Sequence, residues 1–165
     1  MTGVIATACV LAGCSSTDAP TAGTQVRPGD DANLLAGCGP LSDQVIAGTV
    51  NALSVQRQGG SACTWSAAEP GGRTTALAYV WSREDSLARE VDAANRQGYR
   101  IEKLVIKRFG GMYVRDPRNP GACAVTVADT GAVTWRADNR DHAALPDPCA
   151  AAMSLMQATL SVDGV

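Results

Sequence analysis

Cys123-Ala124-Val125-Thr126-Val127-Ala128-Asp129-Thr130-Gly131-Ala132-Val133-Thr134-Trp135-Arg136-Ala137 is the stretch on which the fold turns. Cys123, Val125 and Val127 alternate with smaller neighbours before Asp129-Thr130-Gly131, and Val133, Trp135 and Ala137 do so after it. A period of two is the period of a strand with one buried face, and Asp-Thr-Gly supplies the reversal, so the stretch reads as a β-hairpin. Downstream, Asp147 caps a helix that starts on Pro148, with Cys149, Ala152, Met153, Met156 and Leu160 as its apolar stripe. Upstream, Ile101 to Lys107 and Met112 to Arg115 read as strands around Gly110-Gly111. Ser82, with Asp85 three positions on, opens a helix that places Leu87, Val91 and Ala94 inward and stops at Gly98. In Thr75 to Trp81 both alternating sets are apolar, which predicts a central strand buried on both faces. Ala62 to Ser66 is a shorter strand closed by Glu69-Pro70-Gly71-Gly72. A helix carrying Leu41, Val45, Ile46, Val50 and Leu53 precedes it, broken by Gln56 to Gly60. The order is αββαββββα, and hairpins flanked by helices predict an α+β domain with a mainly antiparallel sheet over residues 34–165.

The chain has 165 residues, with 14 basic against 16 acidic side chains, 18% charged and 45% hydrophobic. That length suits one domain with a real core, and the charged fraction excludes a disordered charged tail. A formal net charge of −2 offers no electrostatic case for nucleic acid. No apolar run approaches the roughly twenty residues of a spanning helix.

Met1 to Thr17 carries no charged side chain, and Gly3 to Ala12 reads as the short apolar core of a secretory signal. It ends in Leu11-Ala12-Gly13-Cys14, which resembles the lipobox of bacterial lipoproteins. The resemblance implies a signal peptide over residues 1–13, cleavage before Cys14 and a diacylglyceryl thioether on its sulfur. Several acyl chains anchor stably where one would be marginal. The basic residues that normally precede such a core are absent, as expected of a signal truncated by a start placed too late. Leu35-Ala36-Gly37-Cys38 matches the same four letters, but acidic Asp30 and Asp31 precede it, so Cys38 is not the lipid site. Residues 14–33 read as the lipidated cysteine and a flexible tether rich in Ser, Thr, Ala, Pro and Gly, with a reach of roughly 25 Å.

With Cys9 in the signal and Cys14 acylated, Cys38, Cys63, Cys123 and Cys149 remain. An even number in an exported chain reads as disulfides, and four cysteines allow three connectivities. The favoured pairs are Cys38–Cys63 and Cys123–Cys149, each joining a helix start to a strand near it in sequence. Loops of about 25 residues closed this way stabilise a fold by roughly 3–4 kcal/mol. A zinc site lacks its spacing, because there is no C-x-x-C and His142, the single histidine, has no cysteine at motif distance.

The lipobox, the tether, Cys38 at the first helix, Cys63-Thr64-Trp65, Gly121-Ala122-Cys123-Ala124-Val125 and Asp147-Pro148-Cys149-Ala150 together resemble the actinobacterial lipoprotein family called domain of unknown function 3558. The resemblance runs from about Leu34 to Leu160. It implies envelope anchoring, the same cysteine pairing, and a fold akin to the Mog1/PsbP-like antiparallel sheet with helices on its faces. It implies no activity.

Few residues suggest chemistry. His142 lies in Asp138-Asn139-Arg140-Asp141-His142, read as a solvated loop, and no G-x-S-x-G elbow accompanies it. Asp138 and Asp141 are too few for a calcium loop, and no phosphate-binding glycine motif occurs. Arg100, Lys103, Lys107, Arg108, Arg115 and Arg118 form a local basic excess, with Lys103 and Lys107 expected on one strand face toward lipid headgroups or cell-wall polymer, or else as a solvated edge. Trp65, Trp81, Trp135, Tyr79 and Tyr113 read as core, and Met153 and Met156 as core or as an adaptable pocket. The expectation is a non-catalytic binding or interaction module on the outer face of the cytoplasmic membrane. It is held by lipid on Cys14 and needs no cofactor or metal; its partner is an envelope protein, lipid or cell-wall polymer. A carrier of an apolar envelope ligand is the alternative and asks for a cavity of about 300 Å³ or more between sheet and helices. An envelope hydrolase built on His142 or paired carboxylates is the second alternative.

Overall fold

The computed structural model describes residues 34–60 and 62–162. Its described residues form three helices and one seven-stranded sheet, every neighbouring pair antiparallel. Helix α1 is Asp43–Thr49 and is followed by β1 (Ser54–Arg57), β2 (Cys63–Ala68) and β3 (Thr74–Ser82). Helix α2 (Leu87–Arg96) leads to β4 (Arg100–Ile106), β5 (Phe109–Arg115), β6 (Ala122–Ala128) and β7 (Ala132–Asn139), and α3 (Pro148–Val162) closes the chain. The strand order β1-β2-β3-β7-β6-β5-β4 makes α2 a crossover from mid-sheet to the far edge, from which the chain winds back until β7 meets β3. The α+β class read from the sequence is the class observed.

The hairpin at residues 122–139 forms as read. Ala128 pairs with Ala132, and Thr130 and Gly131 take φ of 44° and 124° to close the turn. Because strand side chains alternate, the register fixes two faces. One carries Trp65, Leu77, Tyr79, Val125, Val133 and Trp135, all at most 2% exposed. Helices α1 and α3 cover it with Ile46, Leu155, Met156 and Leu160, together with Leu41 just before α1. Within this core the ring of Trp135 lies 5.5 Å from that of Trp65 and 5.1 Å from that of Tyr79. Buried indole N–H groups need acceptors. Trp135 Nε1 donates to Thr159 Oγ1 on α3 at 2.8 Å, and Trp65 Nε1 to Asp43 Oδ1 on α1 at 2.8 Å.

Four boundaries differ from the sequence reading, each for a physical reason. Strand β1 is additional: its side chains are mostly exposed and polar, so no alternation announced it, and it pairs along the outer edge of β2. The first helix is shorter, because Asn51 adopts a left-handed φ of 55° and Leu53, 75% exposed, already donates its N–H to Ala68. The second helix is capped by Ser86 rather than Ser82, which is held in β3 by pairing with Ala132. The β4–β5 turn falls at Lys107-Arg108, with φ of 54° at Lys107, and not at the two glycines. Gly111 instead lies within β5, where a Cβ would come 2.9 Å from Val127 Cγ1 and press on the Thr126 carbonyl. Strand β3 is central as expected, yet buried on one face only: Ala76 and Ala78 are half-exposed and Val80 is 56% exposed.

One end of the core is closed by a polar knot. Asn139, 4% exposed, donates through Nδ2 to the carbonyls of Ala143 (2.8 Å) and Pro146 (2.9 Å). The Thr75 hydroxyl stands 3.0 Å from Asn139 Oδ1 and 2.6 Å from Glu69 Oε1. Asn139→Ala strands two carbonyls and should cost about 2–3 kcal/mol, whereas Asn139→Asp also sets a charge against them and should cost about 3–5 kcal/mol at pH 7. Urea unfolding of both variants tests this order; equal costs, or costs near zero, would refute the role given to the amide.

Candidate ligand groove

The second sheet face mixes alanines and threonines with a few larger side chains, among them Arg136 and Met112. Ala78 pairs across to Arg136, Arg136 to Ala124 and Ala124 to Val114, with Thr126 between Thr134 and Met112 in the next row. Among the described residues α2 is the helix that lies over it, touching β4 and β6. The helix turns Glu90, Ala93, Ala94 and Gln97 toward the sheet, a spacing of three and four that sets them on one side. Alanine therefore faces alanine and threonine, and the two walls do not meet. The gap is a groove of about 220 Å³, open along one side, lined among others by Met112, which is 1% exposed, and by Tyr99 and Asp116.

The charges on its rim are unequally matched. Arg136 pairs with Asp138 at 3.2 Å, and Arg89 with Asp85 at 3.6 Å. Arg118 pairs with Asp116 at 2.8 Å and lies 5.7 Å from the Tyr99 ring centre. Hydrogen bonds from the Arg118 side chain and backbone hold the Asp116 carboxyl below its ordinary value. Glu90 is different. Its carboxylate makes no ion pair or hydrogen bond among the described residues, and burial, with the like charge of Asp85 second, pushes its pKa up. Nothing in the sequence pattern singled out Glu90; the available signal was the run of Ala and Thr on alternate positions of three strands, which leaves a face without bulk.

Other residues singled out by sequence fall elsewhere. Cys14 lies outside the described residues. Cys38 and Cys63 are joined with their Cα atoms 5.2 Å apart, tying the segment before α1 to the start of β2. Cys123 and Cys149 are joined at 5.0 Å, tying β6 to the first turn of α3. The basic stretch does not form a row. Lys103 stays on β4, but Lys107 leaves the strand for the turn and donates to the Leu160 carbonyl at 3.4 Å, while Arg115 pairs with Asp147 at 3.3 Å. His142 is exposed, with Nδ1 3.1 Å from Asn119 Oδ1. Asp141 accepts from the Ala143 N–H at 3.0 Å. Among the described residues no group of three or more His, Cys, Asp or Glu side chains is placed to hold a metal. Met156 is fully buried in the core and Met153 is half-buried beside it, away from the groove.

Because the folded-state pKa of Glu90 is raised, its contribution to stability is most favourable below the unfolded value of 4.5 and is lost as pH rises through the folded value. Glu90→Gln should therefore raise Tm slightly at pH 7, by the equivalent of about 0.5 kcal/mol or less given solvent screening, and the gain should vanish below about pH 4. Paired thermal melts at the two pH values check it; a loss of stability at pH 7 would contradict the desolvated carboxylate.

The chain matches the model of a family described as protein of unknown function (DUF3558) over residues 9–161. No curated protein and no solved structure matches it.

Proposed function

The chain belongs to the DUF3558 family, and on that premise we propose that it is a lipid-anchored, non-catalytic binding module of the cell envelope whose ligand seats in the groove beneath α2. The observation that carries the reading is the difference between the two sheet faces. One is filled with interlocked aromatic and aliphatic side chains; the other keeps a groove of about 220 Å³ with apolar walls and an unmatched carboxylate. Apolar concavities with a few placed polar groups are where small ligands bind. The carrier alternative draws less support from this groove, which is smaller than the roughly 300 Å³ it asks for; a concavity of about 360 Å³ between the end of α1 and the start of α3 is large enough, but it is lined by Glu69, Arg73, Thr75 and Asn139, which suit an apolar ligand poorly. The hydrolase alternative draws none from His142, which sits on an exposed loop against Asn119. Anchoring rests on the apolar segment, the small residues before Cys14 and the tether after it.

Ala124 lies on the groove floor, so Ala124→Leu should fill the groove while leaving the core untouched. Native mass spectrometry of the chain isolated from its own envelope should show a bound small molecule in the parent and at least about tenfold less in this variant. An equal load in both would remove the groove from the function. For the anchor, Cys14→Ser should move the protein from the membrane fraction to the soluble one; unchanged membrane retention would refute lipidation at that cysteine.

A further inference from the structure

Glu90 meets an apolar wall, and each guanidinium near it is committed to another acid. A half-buried carboxylate without a counter-charge is unfavourable in the empty groove and is relieved by a cation brought from outside. The site's chemistry narrows that cation. A metal ion needs several oxygen ligands at once, and of the groove's other oxygen-bearing side chains Asp116 is held by Arg118 while Thr126 and Thr134 bond one another at 2.9 Å. A quaternary ammonium needs a cage of aromatic faces, and Tyr99, the aromatic side chain on the groove, is already faced by Arg118. An ammonium group with N–H donors, carried on a short hydrocarbon body, suits the site: one donor on Glu90, the others toward water at the open side, and the body along Ala124 and Met112, on the side of β6 away from Arg136. The volume of about 220 Å³ limits the body to a fragment rather than a long acyl chain. We propose that the groove beneath α2 binds a small primary amine, with Glu90 as its recognition residue. The proposal rests on the groove being the ligand site.

Methionine methyl groups give a test on the full chain. Met112 lines the groove, whereas Met153 and Met156 lie on α3 against the opposite face. In ¹³C-methyl-methionine spectra at pH 7, n-hexylamine should shift the Met112 resonance and leave Met153 and Met156 in place. The same titration with n-hexanol, which keeps the body and loses the charge, should be weaker by about tenfold or more, as should n-hexylamine on Glu90→Gln. Hexanoate should not bind. Ala124→Leu should abolish the Met112 response. If hexanol matches hexylamine, or Glu90→Gln binds as the parent does, the amine proposal falls while the groove remains a ligand site. If none of the three probes moves Met112, the amine proposal and the groove reading fall together.

Discussion

Trp135 sits mid-sheet with no exposed surface, flanked by Trp65 and Tyr79, and its indole N–H must find an acceptor inside the core. It finds one on α3, where Thr159 accepts it at 2.8 Å and itself donates to the Leu155 carbonyl at 2.9 Å. A threonine inside an otherwise apolar helix face is thereby satisfied twice, and α3 is fixed in rotation about its own axis. Trp65 does the same for α1 through Asp43. Apolar burial would bring either helix to this face without choosing its orientation; the two directed N–H groups choose it.

Concentrating the aromatics on one face has a consequence for the other. A sheet of seven strands has two faces to cover, and the described residues supply two helices to the first and the ten residues of α2 to the second. The crossover from β3 to the far edge makes α2 pass over this face, and the alanines and threonines beneath it leave the groove. The aromatic side is therefore closely packed, and the alanine side keeps an open groove. Glu90 lies on this second side, in the first turn of α2, where a carboxylate suits the helix N-terminus while burial disfavours its ionised form.

Much of the architecture was legible in particular residues. Asp147-Pro148 marked the start of α3, since a carboxylate that accepts the Cys149 N–H and a proline at the first position both suit a helix N-terminus. Gly98, at a φ of 72°, marked the end of α2. The cysteine pairs favoured by sequence spacing are the pairs at bonding distance. Strand β1 was not legible, because an edge strand with Ser54, Gln56 and Arg57 exposed owes its conformation to the backbone of β2 and not to its own side chains. Gly110-Gly111 misled for a related reason: glycine serves close approach as well as turns, and only the neighbouring strand reveals which. The candidate site was the least legible part. Ala76, Ala78 and Val80 read as a second buried face, and an apolar alternation is the same whether a helix closes over it fully or leaves a gap.

The amino-acid sequence by itself determined the element types, the α+β class, the cysteine spacing and which side of each central strand is large. These are local properties, written in periods of two and three to four residues and in capping chemistry. Tertiary structure alone decided how the faces are covered. It placed β1 at an edge, drew Lys107 out of the basic row to the end of α3, and brought Glu90 over a floor built by four strands from distant parts of the chain. The physical reason is that a gap between two surfaces depends on the size of both at once, and the two walls of this groove meet only when the sheet is assembled.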